Sequence, residues 1–373
     1  MKKGRGGRPS RLRQKSPESL LGPQAGWAEG SLRVTMAGYL EALAILQQSQ
    51  GTSRAQASAL LRFARWAEDR GLAQPAEVTL EVLERYQRHL FYVRKPDGQP
   101  LSGPTQHHLL TALKGYFRWC VRQRLLTANP AADMQLPKVG RRLPRYCLSV
   151  AEVETLLAQP RVSTVTGLRD RAVLEVLWAG ALRRGEVQRL ALHDVRFDEG
   201  TVFVSQGKGK KDRVVPVSPR CLGWVQRYLD ESRPRLLVPP ETGFLFLSDT
   251  GHPLSPDVLS QRVRGYLDEA GVTAKGSCHL LRHAAATALL EGGADVRFVQ
   301  EYLGHAKLDT TQVYTHVTLT KLKAVYAACH PGARVGESAA AQPSTADTTT
   351  VTAAEVLAAL EVETDDEDDE LHE

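Results

Sequence analysis

From residue 31 to about residue 328 the chain repeats apolar residues at three- and four-residue spacing, but in "TVFVSQGKGKKDRVVPVS", residues 201–218, the period shortens to two. Two β-rich runs flank a Gly/Lys tip there, which is the pattern of a hairpin. A chain so patterned packs helices on helices and sets a small antiparallel sheet among them. Its length of 373 residues suits two domains better than one. The expected fold class is mainly α, with an N-terminal helical bundle and a C-terminal mixed α domain that holds the sheet.

Within residues 31–135, "TMAGYLEALAILQQ", "SRAQASALLRFARWAEDRGL", "TLEVLERYQRHLFYV" and "TQHHLLTALKGYFRWCVRQRLL" predict four helices. Ser53 or Thr79 could cap such helices and Gly71 could end one. The aromatics Phe63, Trp66, Tyr86, Phe117 and Trp119 read as core and not as stacking platforms for bases. Prolines and basic residues break the pattern over 136–147, the expected linker. The second domain, 148–330, opens on "LSVAEVETLLAQP", where Ser149 and Glu152 have capping-box spacing. "LRDRAVLEVLWAGALRRGEVQRLAL" continues as helix with an interruption near Gly180. Residues 1–30 are basic and rich in Gly, Ser and Pro, a flexible arm in which "GRGGRPSR" loosely resembles a minor-groove AT-hook; an uncommitted solvated tail is the simpler reading. Residues 331–373 read as an acidic disordered tail, with "TAAEVLAAL" able to form a short helix.

The formal charge of +6 conceals an asymmetry. Residues 335–373 hold twelve acidic residues and no Lys or Arg. The rest of the chain holds all 48 basic residues against the 30 acidic ones left when those twelve are taken from 42, a balance of +18. A body that basic points to a polyanion, most simply nucleic acid. The five cysteines are scattered, odd in number and without a C-x-x-C pair, which argues for reduced thiols in the cytoplasm and against a disulfide scaffold or zinc knuckle. No apolar run approaches the ~18 residues of a membrane span. No apolar segment follows the basic start, so no secretory leader is expected.

Four stretches could carry chemistry. In "AGALRRGEV", Arg183 follows the helix break and Glu186 stands three residues on; the planar guanidinium suits phosphate oxygens, although an intrahelical ion pair would need no more. In "GKGKKDR", Lys208, Lys210 and Lys211 crowd the hairpin tip, where they either reach a ligand or merely discourage edge pairing. "SCHLLRHAAATALL" sets His279, Arg282 and His283 on one helix start. Two histidines four apart could hold zinc, but the glutamate of H-E-x-x-H is missing and the guanidinium would repel the cation; Arg with imidazole suits a phosphate better. In "VRFVQEYLGHAKLDTTQVYTH", Gly304 fits a helix C-cap, His305 follows it, Asp309 or Thr310 fits the next N-cap, and Tyr314 falls in the first turns of that helix.

Each stretch alone is modest, but their order resembles the tyrosine recombinase (lambda-integrase-like) family, with the Xer-like subtype nearest. "GALRRGEV" resembles the first-arginine box, "GKGKKDRVVPV" the catalytic-lysine hairpin, "HLLRH" the H-x-L-R-H box, and "YLGHAKLDTTQVYTH" the box that ends in the nucleophile. Ala181 stands where the family often has Gly, and Gly185 where it often has Ser. The resemblance covers about 145–330, and more loosely 31–135 as a SAM-like core-binding domain. It implies a DNA breaking–rejoining fold that cuts and rejoins duplex DNA through a 3′-phosphotyrosyl intermediate, with strand exchange through a Holliday junction. It implies Arg183, Lys208, His279, Arg282, His305 and Tyr314 as the catalytic set, Tyr314 being the nucleophile. Glu186 and His283 would support them, and Lys210, Lys211 and Arg213 would touch the DNA backbone. No cofactor and no metal are implied. The implied partners are double-stranded DNA and a homotetramer on paired sites, monomeric or weakly associated off DNA, with no membrane and a place in the cytoplasm at the nucleoid. "LTKLKAVYAA" would dock on a neighbouring protomer. Rival readings are a type IB-like topoisomerase, a non-catalytic DNA-binding protein of the same fold, and a zinc hydrolase built on His279 and His283.

Overall fold

The computed structural model describes residues 21, 27–46, 50–138, 146–205, 212–304 and 319–333. These fall into two compact units, one of residues up to 138 and one from residue 146 on.

The first unit is four helices, α1 (Leu32–Ile45), α2 (Gln50–Glu68), α3 (Leu80–Tyr92) and α4 (Gly103–Arg122). Each of three has a hydroxyl at its start. Ser31 Oγ accepts from Val34 N at 3.4 Å, Thr79 Oγ1 from Val82 N at 3.4 Å, and Ser102 Oγ from Thr105 N at 3.2 Å. These satisfy amide donors that a helix start leaves over. Ser53, read from sequence as a possible cap, lies buried inside α2, because that helix begins three residues earlier at Gln50. Gly71 follows the end of α2 at φ +75°, a conformation that costs glycine little. The apolar faces meet in a core of Leu60, Phe63, Leu83, Tyr86, Leu113 and Phe117, with Phe63 edge-on to Tyr86 at 5.0 Å between ring centroids. Trp66 is buried as well and Trp119 packs against the same core.

The second unit starts with α5 (Val150–Ala158), whose capping box is formed: Ser149 N donates to Glu152 Oε2 at 2.8 Å while Ser149 Oγ accepts from Glu152 N at 3.3 Å. Then come α6 (Val165–Gly180) and α7 (Arg184–Arg189), strands β1 (Val195–Arg196), β2 (Thr201–Val204) and β3 (Arg213–Pro216), and α8 (Pro219–Arg227). A wider helical turn over Tyr228–Ser232 leads into α9 (Arg233–Leu236), followed by α10 (Pro256–Glu269), α11 (Cys278–Glu291), α12 (Val296–Leu303) and α13 (Leu319–Cys329). The sheet runs β1-β2-β3, antiparallel throughout. Its register sets Val202 opposite Val215 and Val204 opposite Arg213. The expected hairpin is therefore present as β2 and β3, with a third short strand that two residues of sequence could not announce.

Helix α6 is enclosed on every side and forms the spine of this unit, with Trp178 at 0% exposure. Its buried charges are paired, as low dielectric requires. Arg169 Nε reaches Asp170 at 2.8 Å and its Nη1 reaches Asp249 at 2.7 Å, while Glu175 accepts from Arg171 at 2.7 Å and Arg220 at 3.1 Å. Helix α13, expected to dock on a neighbouring protomer, packs on its own unit in this single chain. Tyr326 stacks on Tyr302 at 5.8 Å, and His330 stacks on Tyr326 at 4.7 Å and lies 4.8 Å from Trp178.

Candidate active site

Helix α6 ends at Gly180 because Ala181 turns the backbone into the left-handed region, φ +46° and ψ +38°. That turn stops the helix and lets the next residues start α7 in a new direction. Arg183 holds the N-cap position of α7. Its backbone N donates to Glu186 Oε2 at 2.9 Å and its Nη1 donates to Glu186 Oε1 at 3.0 Å. The adjacent Arg184 faces elsewhere, with Nη1 3.4 Å from Ser260 Oγ on α10.

Glu186 is the hub. It is 3% exposed and also accepts both Nη groups of Arg213, each at 2.8 Å. Burial pushes its carboxyl toward protonation, but the hydrogen bonds and charge of Arg213, followed by the charges of Arg183 and Arg282, outweigh it and hold the group far below the usual carboxylate range. Glu186 is thus an anion bonded to Arg183 at the N-cap of α7 and to Arg213 of β3, and it feels the charge of Arg282 of α11.

Arg282 sits one turn into α11 and is 3% exposed. Its Nη1 donates to the carbonyl of Ala181 and its Nη2 to that of Leu303 at 2.8 Å. The first contact ties it to the turn that aims Arg183, and the second to the last residue of α12. Next comes Gly304, left-handed at φ +69°, where a Cβ would meet Arg213 Cδ at 2.9 Å. Glycine suits the position twice over, adopting that backbone at little cost and leaving room for the Arg213 side chain.

His279 lies in the first turn of α11, half-buried. Burial, with the charge of Arg184 second, pulls its imidazole down to about 4. At neutral pH it is the uncharged ring, able to donate from one nitrogen and accept at the other. His283 is buried one turn further along the same helix. Among the described residues no group of three or more His, Cys, Asp and Glu side chains is placed to hold a metal ion. No described helix is long and apolar enough to cross a membrane.

The structure therefore brings together Arg183, Glu186, Arg213 and Arg282, with His279 and His283 on the helix that carries Arg282. Lys208, Lys210, Lys211, His305 and Tyr314 lie outside the described residues. Arg213 departs from expectation. Its fork, read from sequence as a DNA-backbone contact, is spent on Glu186, and its Nε donates to Tyr302 O at 3.2 Å. A signal for this was present in the strand period: Arg213 shares a face with Val215, and their cross-strand partners Val204 and Val202 are buried. The structural use of the Ala181 and Leu303 carbonyls left no trace in the sequence.

The other tyrosines described in this unit are occupied. Tyr302 OH donates to Ala179 O, Tyr228 OH to Leu245 O at 3.2 Å, Tyr266 OH to Asp170 at 2.9 Å, and Tyr146 OH to Glu152. Tyr326 is buried and stacked between Tyr302 and His330.

A helical unit followed by a helical unit around a three-stranded sheet is the architecture of the DNA breaking–rejoining enzymes. A solved structure titled XerH site-specific recombinase bound to palindromic difH substrate, post-cleavage complex, shares this fold with a TM-score of 0.56 at 20% identity, over 86% of this chain and 98% of that one. Residues 147–321 match the phage integrase family. Tyrosine recombinase XerC 2 of Ralstonia nicotianae is 51% identical over 79% of this chain and 85% of its own length. Tyrosine recombinase XerD of Pseudomonas aeruginosa is 38% identical over 76% of this chain and 92% of its own length. The chain belongs to the tyrosine recombinase family.

Proposed function

We propose that this tyrosine recombinase acts on double-stranded DNA as a site-specific recombinase, and that the residues gathered around Glu186 form its phosphate pocket. The observation that carries the reading is the convergence of Arg183 and Arg282: one is bonded to Glu186, the other to the Ala181 turn just before Arg183. Two guanidinium groups held this way suit the extra negative charge of a pentacoordinate phosphorane transition state. Fixed in advance by Glu186 and by backbone carbonyls, they need little reorganisation when that charge appears.

Tyr314 supplies the nucleophile. Its phenol oxygen attacks the scissile phosphorus, a 3′-phosphotyrosyl bond forms, and the P–O5′ bond breaks to free a 5′-hydroxyl. A free phenol titrates near ~10, so attack needs nearby cations and a proton acceptor. Lys208 protonates the leaving 5′ oxygen. His279, neutral at pH 7, exchanges protons at the phosphate, and His305 hydrogen-bonds it. Glu186 and His283 orient the set. The covalent link conserves the bond energy, and reversal by the 5′-hydroxyl of another strand gives exchange through a Holliday junction. Paired sites require four protomers, alternately active. Residues 31–135 add DNA contacts, residues 148–330 carry the chemistry, and the enzyme works in the cytoplasm at the nucleoid.

The test starts by mapping covalent adducts of the chain on genomic DNA, which identifies its site. A duplex carrying that site, nicked beside the scissile phosphate, should then trap a denaturant-resistant adduct with the parent chain. The Tyr314→Phe variant should bind the duplex and form none. An undiminished adduct from that variant would remove Tyr314 from the reaction.

A further inference from the structure

Arg213 is the one member of the cluster that the proposed chemistry leaves without a task. Both its Nη groups are on Glu186 at 2.8 Å, its Nε is on Tyr302 O at 3.2 Å, and its side chain is 11% exposed. It stands at the first residue of β3, the strand that follows the hairpin tip. Its side chain passes so close to Gly304 that a Cβ there would lie 2.9 to 3.1 Å from three of its atoms. One guanidinium therefore joins the base of the hairpin, the carboxylate beside Arg183, and the end of α12 that precedes His305.

We infer that Arg213 is a positioning residue for DNA cleavage: by clamping Glu186 from β3, it keeps that carboxylate from drawing Arg183 and Arg282 off the scissile phosphate. The electrostatics give the reason. Glu186 has two oxygens, and each accepts one bond from Arg213 and one from Arg183. The charged groups that face it are Arg183 beside α7, Arg213 from β3 and Arg282 from α11. With Arg213 in place, the carboxylate is satisfied by a cation that has no other duty. Without it, the buried anion has, among the described residues, only the two catalytic arginines to neutralise it, and every share of their charge that it takes is lost to the phosphate. Arg213 is needed as a fork, since a lysine cannot reach both oxygens in one plane.

This inference rests on the phosphate-pocket reading, and the nicked mapped duplex separates the two: the parent chain tests the reading, and variants at 213 and 186 test the inference. Arg213→Met should slow adduct formation at least tenfold at pH 7.5, with duplex affinity and its salt dependence unchanged. Adding Glu186→Gln to Arg213→Met should restore most of that rate, because the unmatched anion is gone. The slowing relative to the parent should also shrink as pH falls and Glu186 takes up a proton. A purely structural arginine would give neither the charge-removal rescue nor the narrowing ratio. Parental cleavage by Arg213→Met, no rescue by the added Gln, or a loss of affinity with a flatter salt slope would each overturn the inference; the last would return Arg213 to the DNA backbone. Should Arg213→Met not fold, Arg213→Lys takes its place. Slower cleavage at unchanged binding, rescued by Glu186→Gln, supports the inference, and parental cleavage overturns it.

Discussion

Arg282 donates through Nη1 to the carbonyl of Ala181, and Ala181 holds a left-handed backbone two residues before Arg183. A side chain of α11 thereby fastens the turn that aims the other arginine. A Cβ in that conformation costs about 1 kcal/mol, and the Ala181 methyl is fully buried, worth about 0.8 kcal/mol on its own. The two nearly cancel, so Ala181→Gly should stay within ~1 kcal/mol of the parent in denaturant unfolding. Ala181→Val, β-branched in the same conformation, should lose more than ~2 kcal/mol. Equal stability for Val and Gly would mean that the turn is not left-handed.

Arg183→Lys and Arg282→Lys should each keep duplex binding within a few-fold. Each should slow single-turnover adduct formation on the nicked duplex about a hundredfold or more, the usual cost of ~3 kcal/mol for one lost preorganised donor. Lysine keeps the charge but not the fork, so a parental rate from either variant would show that bidentate geometry is unimportant there.

Acid should unfold the second unit early. The imidazole of His279 is pulled down to about 4 by burial and then by Arg184. That of His330 is pulled down to about 3 by burial, with the charge of Arg220 acting in the same direction. Both folded values lie below the ordinary ~6.5, so the unfolded chain binds protons that the folded one refuses. Stability from these groups is complete above about pH 6.5 and is lost as pH falls, by up to ~1.4 kcal/mol per pH unit for each ring. The depressed carboxyl of Glu186 acts in the same direction at lower pH. Urea unfolding between pH 7.5 and 4.5 should show this fall, and His330→Phe should make it shallower. A flat profile would place both rings in contact with water.

Lys208→Ala should slow cleavage of an ordinary phosphodiester. A 5′-phosphorothiolate at the scissile position should restore the rate, since sulfur leaves without a proton. An equal defect on both substrates would take Lys208 out of the acid role.

Much of this was legible in the sequence because local rules wrote it. The helices of the first unit follow their apolar period, Ser149 and Glu152 form the capping box their spacing announces, and Gly304 ends its helix where a glycine should. The break near Gly180 was visible too, although its cause, a left-handed Ala181, is set by packing. What stayed hidden depends on tertiary direction. Val195 and Arg196 are too short a strand to leave a period. For Arg213 the strand period gives the inward face it shares with Val215, but not that its fork meets Glu186, a partner 27 residues away on another element. The packing of α13 on its own unit depends on Tyr326 and His330 finding Tyr302 and Trp178, partners far away in sequence.

The central claim is that one phenol carries the DNA strand, and the most direct measurement is to find it. The adduct trapped on the nicked mapped duplex should be digested with protease and nuclease and its peptides sequenced by mass spectrometry. The residual 3′-nucleotide should sit on Tyr314. A nucleotide on Tyr302, Tyr326 or any other residue, or an adduct that forms at the parental rate once both Arg183 and Arg282 are replaced, would contradict the claim.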